Sequence, residues 1–226
     1  MAVRLTGDGP PVATADLDDE IQALGGKAIA RSFDITDEAS YKDLVDDTVN
    51  EFGRLDGLFN VAADLSPTTL AQDSDVLSVP LEVWRHTIDV TLSGYMYGIR
   101  HALPIMIDQG GGGIVNTMST VVWMGEDRRV AYQSAKAGLY GLTRHTATRG
   151  GKHGVRCNSV APGVILTGAA LANSTEEWRN EILASVRSNR LGVPENLAAM
   201  VAFLFSDDGA YVTGQTILVD GGANFT

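Results

Sequence analysis

The sequence is poor in the residues that several kinds of protein depend on. Cys157 is the only cysteine among 226 residues, so an intramolecular disulfide is excluded, and its apolar surroundings predict a buried, inert thiol. Lysines and arginines number 17 against 28 acidic residues. The resulting net charge of -11 disfavours a nucleic-acid partner, because phosphate binding needs a basic face. The four histidines are scattered without a paired spacing, so we expect no metal site.

Long apolar runs are also missing. The run over 198–205 is among the longest, and it falls far short of the roughly 20 residues that a membrane span requires. The first residues lack the apolar region of a secretion signal. We therefore expect a cytoplasmic protein without a membrane partner. A chain of 226 residues suits a single α/β domain with a substantial core.

A stretch near the middle of the chain carries the strongest chemical signal. Residues 114–118 have the length and the bounding glycines of a buried strand, which would end at Ser119. Ligands bind at the carboxyl ends of strands in open α/β sheets, so this serine is placed as a site residue would be. Tyr132 and Lys136 are four residues apart and would share one face of a helix.

These three side chains can together move a proton at a carbonyl or alcohol oxygen. A free tyrosine titrates at about 10, too high for a base at neutral pH, and a nearby ammonium favours the phenolate. Lys136 is therefore predicted to lower the pKa of Tyr132, while the hydroxyl of Ser119 holds the substrate oxygen. The spacing of the three residues resembles the active-site signature of the short-chain dehydrogenase/reductase family. The resemblance covers nearly the whole chain from about Asp16 onward.

The resemblance implies a fold, an activity and partners. The fold is an α/β domain with a doubly wound, mostly parallel Rossmann-type sheet and helices on both faces. The activity is that of an oxidoreductase that transfers a hydride between NAD(H) and a small alcohol or ketone, with Ser119, Tyr132 and Lys136 as catalytic residues. Subunits of the family often pair through the closing strand, here 216–219, so a homo-oligomer (a dimer or tetramer) is expected.

The resemblance also assigns cofactor roles to residues that follow the predicted strands. Asp16, after a strand over 12–15, would bind the adenosine ribose and repel a 2′-phosphate, which favours NAD over NADP. Asp34, after a strand over 27–33, would contact the adenine ring. Ile165 would lie near the carboxamide and Thr167 near the pyrophosphate. The full set of implied cofactor-binding residues is Asp16, Leu17, Asp34, Ile35, Asn60, Ala62, Tyr132, Lys136, Pro162, Gly163, Ile165 and Thr167.

Some of these positions have a plainer structural interpretation. Asp16 begins an acidic run and could be a turn residue. Thr36 or Asp37, just after Asp34, would cap a helix over 38–52, and both roles can hold at once. Residues 162–163 could be turn residues only, although their place directly after a strand favours a clasp around the nicotinamide end.

The sequence departs from the family pattern at several points. Thr91 occupies the position of an asparagine that helps to hold a water in the family's proton relay, and Ala63 replaces a glycine beside the cofactor. The first strand and the glycine-rich turn that receives the pyrophosphate are missing, and residues 7–11 do not replace them because their two prolines lack N–H donors. We therefore expect a dinucleotide-binding domain over 1–226 that is incomplete at its N-terminus. The alternative is a non-catalytic binding or assembly module.

The remaining elements follow from composition and periodicity. They are a strand over 55–63, an irregular loop over 66–78, a helix over 81–107 kinked by Pro104, a polar loop over 121–130, a helix over 131–149, a strand over 154–160, a loop with an amphipathic helix over 168–191, a helix over 194–205 and a strand over 216–219. Small residues on the helix over 131–149 permit close packing, either in the core or against a sister helix.

Overall fold

The computed structural model describes residues 12–14, 26–172 and 174–225. The strands in this part are β1 (Val12–Thr14), β2 (Ala28–Ala30), β3 (Gly57–Asn60), β4 (Gly112–Thr117), β5 (Val155–Pro162) and β6 (Thr216–Val219). The α-helices are α1 (Glu38–Phe52), α2 (Pro67–Gln72), α3 (Leu81–Ile88), α4 (Gly94–Asp108), α5 (Val121–Met124), α6 (Val130–Gly150), α7 (Gly168–Ala172), α8 (Glu176–Ser185) and α9 (Pro194–Phe205). A π-helical segment, Asp89–Ser93, joins α3 to α4, and short 3-10 helices follow α6 and α9.

Every strand pairing in the described residues is parallel. Strands β3, β4, β5 and β6 form one sheet in that order, and β1 and β2 form a separate pair. In the four-stranded sheet Asn60, Asn116 and Ser159 stand side by side on three adjacent strands. Because the strands run in one direction, their carboxyl ends meet at a single edge, where the α/β architecture places its ligands.

Helices cover both faces of the sheet, and successive side chains of each strand pack against opposite faces. On one face Ile114 and Cys157 pack in a cluster with α1 and α4, and on the other Val115 and Val160 pack against α9. Cys157 is fully buried, and burial raises its pKa to about 12, as expected for an inert thiol. Each fully buried aliphatic side chain contributes about 1.5–3 kcal/mol, so the sheet is held rigidly between the helices.

A chain of buried polar side chains crosses the sheet. The amide of Asn60 donates to Asn116 at 2.9 Å, Asn116 donates to Thr143 of α6 at 3.0 Å, and the hydroxyls of Thr143 and Ser159 are 2.7 Å apart. The hydroxyl of Tyr41 on α1 donates to Asn60 at 2.8 Å. Because these groups satisfy one another, the network fixes α1 and α6 relative to the strand ends.

The structure corrects several predicted elements. The segment over 66–78 contains α2, because the Ser66 hydroxyl caps the helix and Pro67 suits its first position. The polar loop over 121–130 contains α5, and the helix over 81–107 includes the π-helical segment. Pro104 lies inside α4, which continues to Asp108. The strands over 27–33 and 55–63 are shorter than predicted because composition does not show where pairing stops.

Other predictions hold. Helix α9 and strand β6 have the predicted bounds, and α6 differs from its predicted bounds by one residue at each end. Of the two caps proposed for α1, Asp37 is the one used. Asp16 and Leu17 lie outside the described residues.

Candidate active site

The candidate site lies at the carboxyl edge of the sheet. Ser119 comes two residues after β4, and its hydroxyl accepts a hydrogen bond from the amide of Val121 at 3.4 Å. Helix α6 then brings Tyr132, in its first turn, and Lys136, one turn later, to the same edge. Ser119 lies near enough to Tyr132 to lower the pKa of its phenol, and the ammonium of Lys136 lies 5.7 Å from the centroid of the tyrosine ring. The structure thus brings together the three residues that the sequence predicted as catalytic.

Lys136 is a cation held in an almost dry setting. Its side chain is 1% exposed, and its ammonium donates to the carbonyl of Thr117 at 2.6 Å. The ring of Tyr95 lies on another side, with its centroid 5.3 Å from the ammonium. Burial lowers the pKa of Lys136 to about 7, because desolvation penalises the charged form. At neutral pH the amine can therefore either give or take a proton.

Burial also dominates the electrostatics of Tyr132. Desolvation raises the pKa of its phenol, the Ser119 hydroxyl and the Arg129 guanidinium lower it, and Glu126 raises it. The prediction of a net lowered pKa is therefore wrong for this structure, because the desolvation of the phenolate outweighs the groups that favour it. Arg129, whose guanidinium lies 5.4 Å from the Tyr132 ring centroid, is a neighbour that the sequence did not reveal.

A buried carboxylate holds the start of α6. Asp73 is 2% exposed, and its two oxygens accept hydrogen bonds from the backbone amides of Ala131 and Tyr132, both at 2.9 Å. No local pattern could have identified Asp73, because it lies 58 residues before Ala131 in the chain. Its only sequence signal is an acidic residue in a segment that reads as a loop.

The predicted adenine-side residues, Asp34 and Ile35, follow β2, a strand of the separate pair. Asp34 is exposed, and its Oδ1 accepts bonds from the amide of Thr36 at 2.8 Å and from its hydroxyl at 2.7 Å. These bonds lower the pKa of Asp34, so the carboxylate is charged at neutral pH. Ile35 packs where α4 begins, so closely that a Cβ on Gly94 would lie 2.5 Å from its side chain. This contact fixes the segment beside the start of α4.

The segment over 162–167 is anchored to its neighbours. Thr120 donates to the carbonyl of Pro162 through both its amide and its hydroxyl at 3.2 Å, and Gly163 donates to Val219 of β6 at 3.2 Å. Ile165 pairs with Gly192 in an isolated bridge. Thr167 is exposed, and its hydroxyl accepts from the amide of Ala170 at 3.1 Å. The segment therefore runs on from the end of β5, close to Ser119.

Asn60 and Ala62 lie at the end of β3. The side chain of Asn60 belongs to the buried polar chain, and the carbonyl of Ala62 accepts from the hydroxyl of Tyr95 at 2.9 Å. Tyr95 thus spans the site from this strand end to Lys136. Thr91, in the π-helical segment, is 1% exposed, and its hydroxyl has no hydrogen-bond partner among the described residues.

Comparisons with known proteins place the chain in a family. A family model described as enoyl-(acyl carrier protein) reductase matches residues 1–224. The chain is 37% identical to the 7α-hydroxysteroid dehydrogenase of Bacteroides fragilis over 227 residues, which cover 97% of this chain and 86% of the relative. It belongs to the short-chain dehydrogenase/reductase family. Its relatives are named dehydrogenases and reductases, so the chain is an oxidoreductase enzyme.

Other relatives in the short-chain dehydrogenase/reductase family agree. The cyclohexanol dehydrogenase of an Acinetobacter species is 36% identical, over 97% of this chain and 87% of its own length. A 7α-hydroxysteroid dehydrogenase solved with NADH and 7-oxoglycochenodeoxycholic acid has a TM-score of 0.88 at 30% identity, with 98% of this chain and 87% of the other covered. The predicted single-domain Rossmann-type fold is therefore confirmed.

In the part of the chain that the structure describes, no cluster of three or more histidine, cysteine or acidic side chains is arranged to hold a metal ion. Within the same residues, no helix combines the length and the apolar character that crossing a membrane requires.

Proposed function

We propose that the protein is an NAD-dependent oxidoreductase that exchanges a hydride between NAD(H) and an apolar secondary alcohol or its ketone. The observation that carries this proposal is the juxtaposition of Ser119, Tyr132 and Lys136 at the carboxyl edge of a parallel sheet. A hydroxyl donor, a phenol and an amine that titrates near neutral pH form a set suited to moving one proton at a substrate oxygen.

The residues present fit a nicotinamide dinucleotide. The ammonium of Lys136 has N–H donors beyond the one that it gives to Thr117, and these can bind ribose hydroxyls. The exposed, charged carboxylate of Asp34 suits an adenine amino group. The preference for NAD over NADP rests on Asp16, whose carboxylate would repel a 2′-phosphate. The solved 7α-hydroxysteroid dehydrogenase contains NADH, whereas the L-rhamnose 1-dehydrogenase of a Sphingomonas species is named for NAD(P)+.

The chain's own residues handle the proton. In the oxidation direction Tyr132 takes the proton of the alcohol, and in reduction it gives a proton to the carbonyl oxygen. The hydroxyl of Ser119 donates to the same oxygen and holds it in place. Lys136 accepts or replaces the proton behind the tyrosine, because its pKa of about 7 allows both forms. The nicotinamide ring, when bound, supplies or accepts the hydride.

The proposed substrate is apolar because of the walls around Ser119. Helix α5 begins two residues after Ser119 and presents Met124, which is 60% exposed. Trp123 packs against a buried cluster formed by Tyr95, Met118, Leu139 and Ala161. The names of two relatives, a hydroxysteroid and a cyclohexanol dehydrogenase, support a ring-borne hydroxyl group. We further propose that the protein is a homo-oligomer, a state common in the family that the sequence resembles.

Tyr132→Phe is the variant that tests this function. Removing the hydroxyl should lower kcat with cyclohexanol or a 7α-hydroxysteroid and NAD+ by about 10³-fold or more, because it removes the acid/base group. Turnover is followed by NADH absorbance, and NADH binding by fluorescence should be unchanged. Tyr140→Phe on the same helix is the control, because Tyr140 is 38% exposed and stacks on Arg144 away from the site. Full activity in Tyr132→Phe would contradict the proposal.

A further inference from the structure

A short segment far away in sequence receives the first backbone amides of α6. The carbonyls of Asp73 and Ser74 accept from the amides of Arg129 at 2.9 Å and Val130 at 3.2 Å. The carboxylate of Asp73 accepts from the next two amides, those of Ala131 and Tyr132. A helix leaves its first four N–H groups without an internal partner. Here the four amides over 129–132 all bond to residues 73–74.

The helix has no comparable support of its own. Its N-cap residue is Arg129, whose side chain makes no capping bond within the described part of the chain. Arg129 also has a φ of 59°, in the left-handed region that strains a residue with a side chain. The usual N-caps are short side chains with an oxygen, which arginine does not offer. The first turn of α6 therefore depends on Asp73.

We propose that Asp73 is a positioning residue that holds Tyr132 in its reactive place against Ser119, and this inference rests on the proposed function. One of the two bonds of the carboxylate goes to the backbone amide of Tyr132 itself, so it fixes the point from which the phenol projects. Lys136 is anchored separately, through its bond to Thr117. Loosening Asp73 therefore moves the tyrosine relative to the other two catalytic residues.

The decisive variant is Asp73→Asn. The amide keeps one acceptor oxygen but turns an N–H group toward the second backbone amide, so one of the two hydrogen bonds to Ala131 and Tyr132 is lost. Because a displacement of about 1 Å can lower a rate by about 10²-fold, we expect kcat to fall by about 10- to 100-fold. NADH affinity should change by less than about 3-fold, because Asp73 orients Tyr132 for the reaction step. A variant that weakened binding alone would raise KM and leave kcat unchanged.

The pH profile separates positioning from a purely structural role. Ser119 and Arg129 lower the pKa of the Tyr132 phenol, whereas Glu126 and burial raise it. If Asp73→Asn lets the tyrosine move away from Ser119, the midpoint of the rise in kcat/KM with pH shifts upward. A variant that only reduces the folded fraction lowers activity at every pH and leaves the midpoint in place.

Asp75→Asn is the matched control. Asp75 lies two residues away in the same segment, is exposed, and caps the amides of Leu77 and Ser78 at 2.8 and 3.1 Å. The same chemical change there should leave kcat and the pH midpoint unchanged. If Asp73→Asn does not fold, Asp73→Glu keeps both acceptors one methylene further out, and it should show the same upward shift to a smaller degree.

The outcomes are distinguishable. Asp73 variants that fold and match the wild type in kcat and in pH midpoint would overturn the positioning role while leaving the proposed function standing. A wild type that binds NADH but turns over no alcohol or ketone would overturn the proposed function. In that case the pKa of the Tyr132 phenol can still be measured. Tyrosinate absorbance is recorded against pH, and the curve of Tyr132→Phe is subtracted from it. An unchanged midpoint in Asp73→Asn would then overturn the positioning role as well.

Discussion

Helices α1 and α6 begin in opposite ways. Helix α1 starts with its own cap, because the carboxylate of Asp37 accepts from the amide of Ala39 at 3.0 Å, and Asp37 is exposed. Helix α6 starts at a strained arginine and takes its cap from Asp73, a buried residue 58 positions before Ala131. One start is built from neighbours in sequence, and the other exists only in the folded protein.

This difference between the two helix starts coincides with the location of the candidate active site. A local cap stabilises a helix wherever it lies, but it fixes nothing relative to the rest of the molecule. A distant cap makes the helix start and the capping segment form together, so it sets where the first turn lies. The helix that carries Tyr132 and Lys136 is the one with the distant cap. The cap is thus part of the site's geometry as well as of the fold's stability.

Replacing each cap by alanine should show the largest contrast between the two helix starts. Asp73→Ala leaves two backbone amides without their acceptor in a buried place, so we expect unfolding to become easier by about 2–4 kcal/mol. Asp37→Ala removes an exposed cap and should cost about 1 kcal/mol. Urea denaturation of both variants at neutral pH measures the difference.

The comparison would break if the two alanine variants lost equal stability. Equal losses would mean that water replaces the Asp73 carboxylate at the amides of Ala131 and Tyr132. The start of α6 would then be no more dependent on its distant cap than α1 is on Asp37. Crystallography of Asp73→Ala would show such a water directly.

A second contrast concerns charge. The folded state holds the pKa of Lys136 at about 7, below its usual value of 10.5, so the unfolded chain binds more protons between these two values. Stability therefore rises with pH across this window, whereas Lys136→Met lacks this dependence. From pH 7 to pH 9 the wild type should gain about 2 kcal/mol relative to the variant. Denaturation curves at the two pH values test this.

Lys42 on α1 provides the control for charge. It is exposed and pairs with Asp46 one turn later, which raises its pKa, so its contribution is lost only above its usual value. Lys42→Met should therefore leave the pH dependence between 7 and 9 unchanged. Parallel slopes for the wild type and Lys136→Met would show that the buried amine is solvated more than its 1% exposure suggests.

The two helix starts also show what could be predicted from sequence. The cap of α1 was predicted, because an aspartate before an amphipathic pattern is a local signal. The bounds of α9 and β6 were predicted for the same reason, since proline and glycine punctuate them. The segment over 66–78 was predicted as a loop from its polar composition. Its helix depends on Ser66 and Pro67, and the two residues that follow it, 73–74, bond to a helix more than fifty residues away.

In the candidate site, too, the features with a local sequence signal could be predicted and those that depend on tertiary packing could not. Ser119, Tyr132 and Lys136 could be predicted as site residues because strand ends and helical spacing leave regular patterns in a sequence. The direction of the tyrosine's pKa could not, because burial is a property of the packed protein. Arg129 and Asp73 were missed for a related reason. Asp73 acts through bonds that form only when its segment meets the start of α6, and Arg129 acts through its position over the ring of Tyr132.

The smallest effect we predict lies further along α6, on its exposed side. A Cβ at Gly141 would meet nothing within 4 Å, so Gly141→Ala should stabilise the protein by about 0.5–1 kcal/mol through a less flexible unfolded chain. Three residues earlier, a Cβ at Gly138 would lie 2.7 Å from Leu92, so Gly138→Ala should destabilise the protein by about 1 kcal/mol or more.

Thermal unfolding at several protein concentrations distinguishes the two ways in which Gly141 could matter. If the open surface at Gly141 faces solvent, the gain from Gly141→Ala is independent of concentration. If a second copy of the chain packs closely there, the new methyl group clashes with it. The variant then unfolds more easily than the wild type, and the loss shrinks as dilution separates the wild-type copies. That result would make the small residues of α6 part of an interface, and α6 would be held by a neighbour at both its start and its middle.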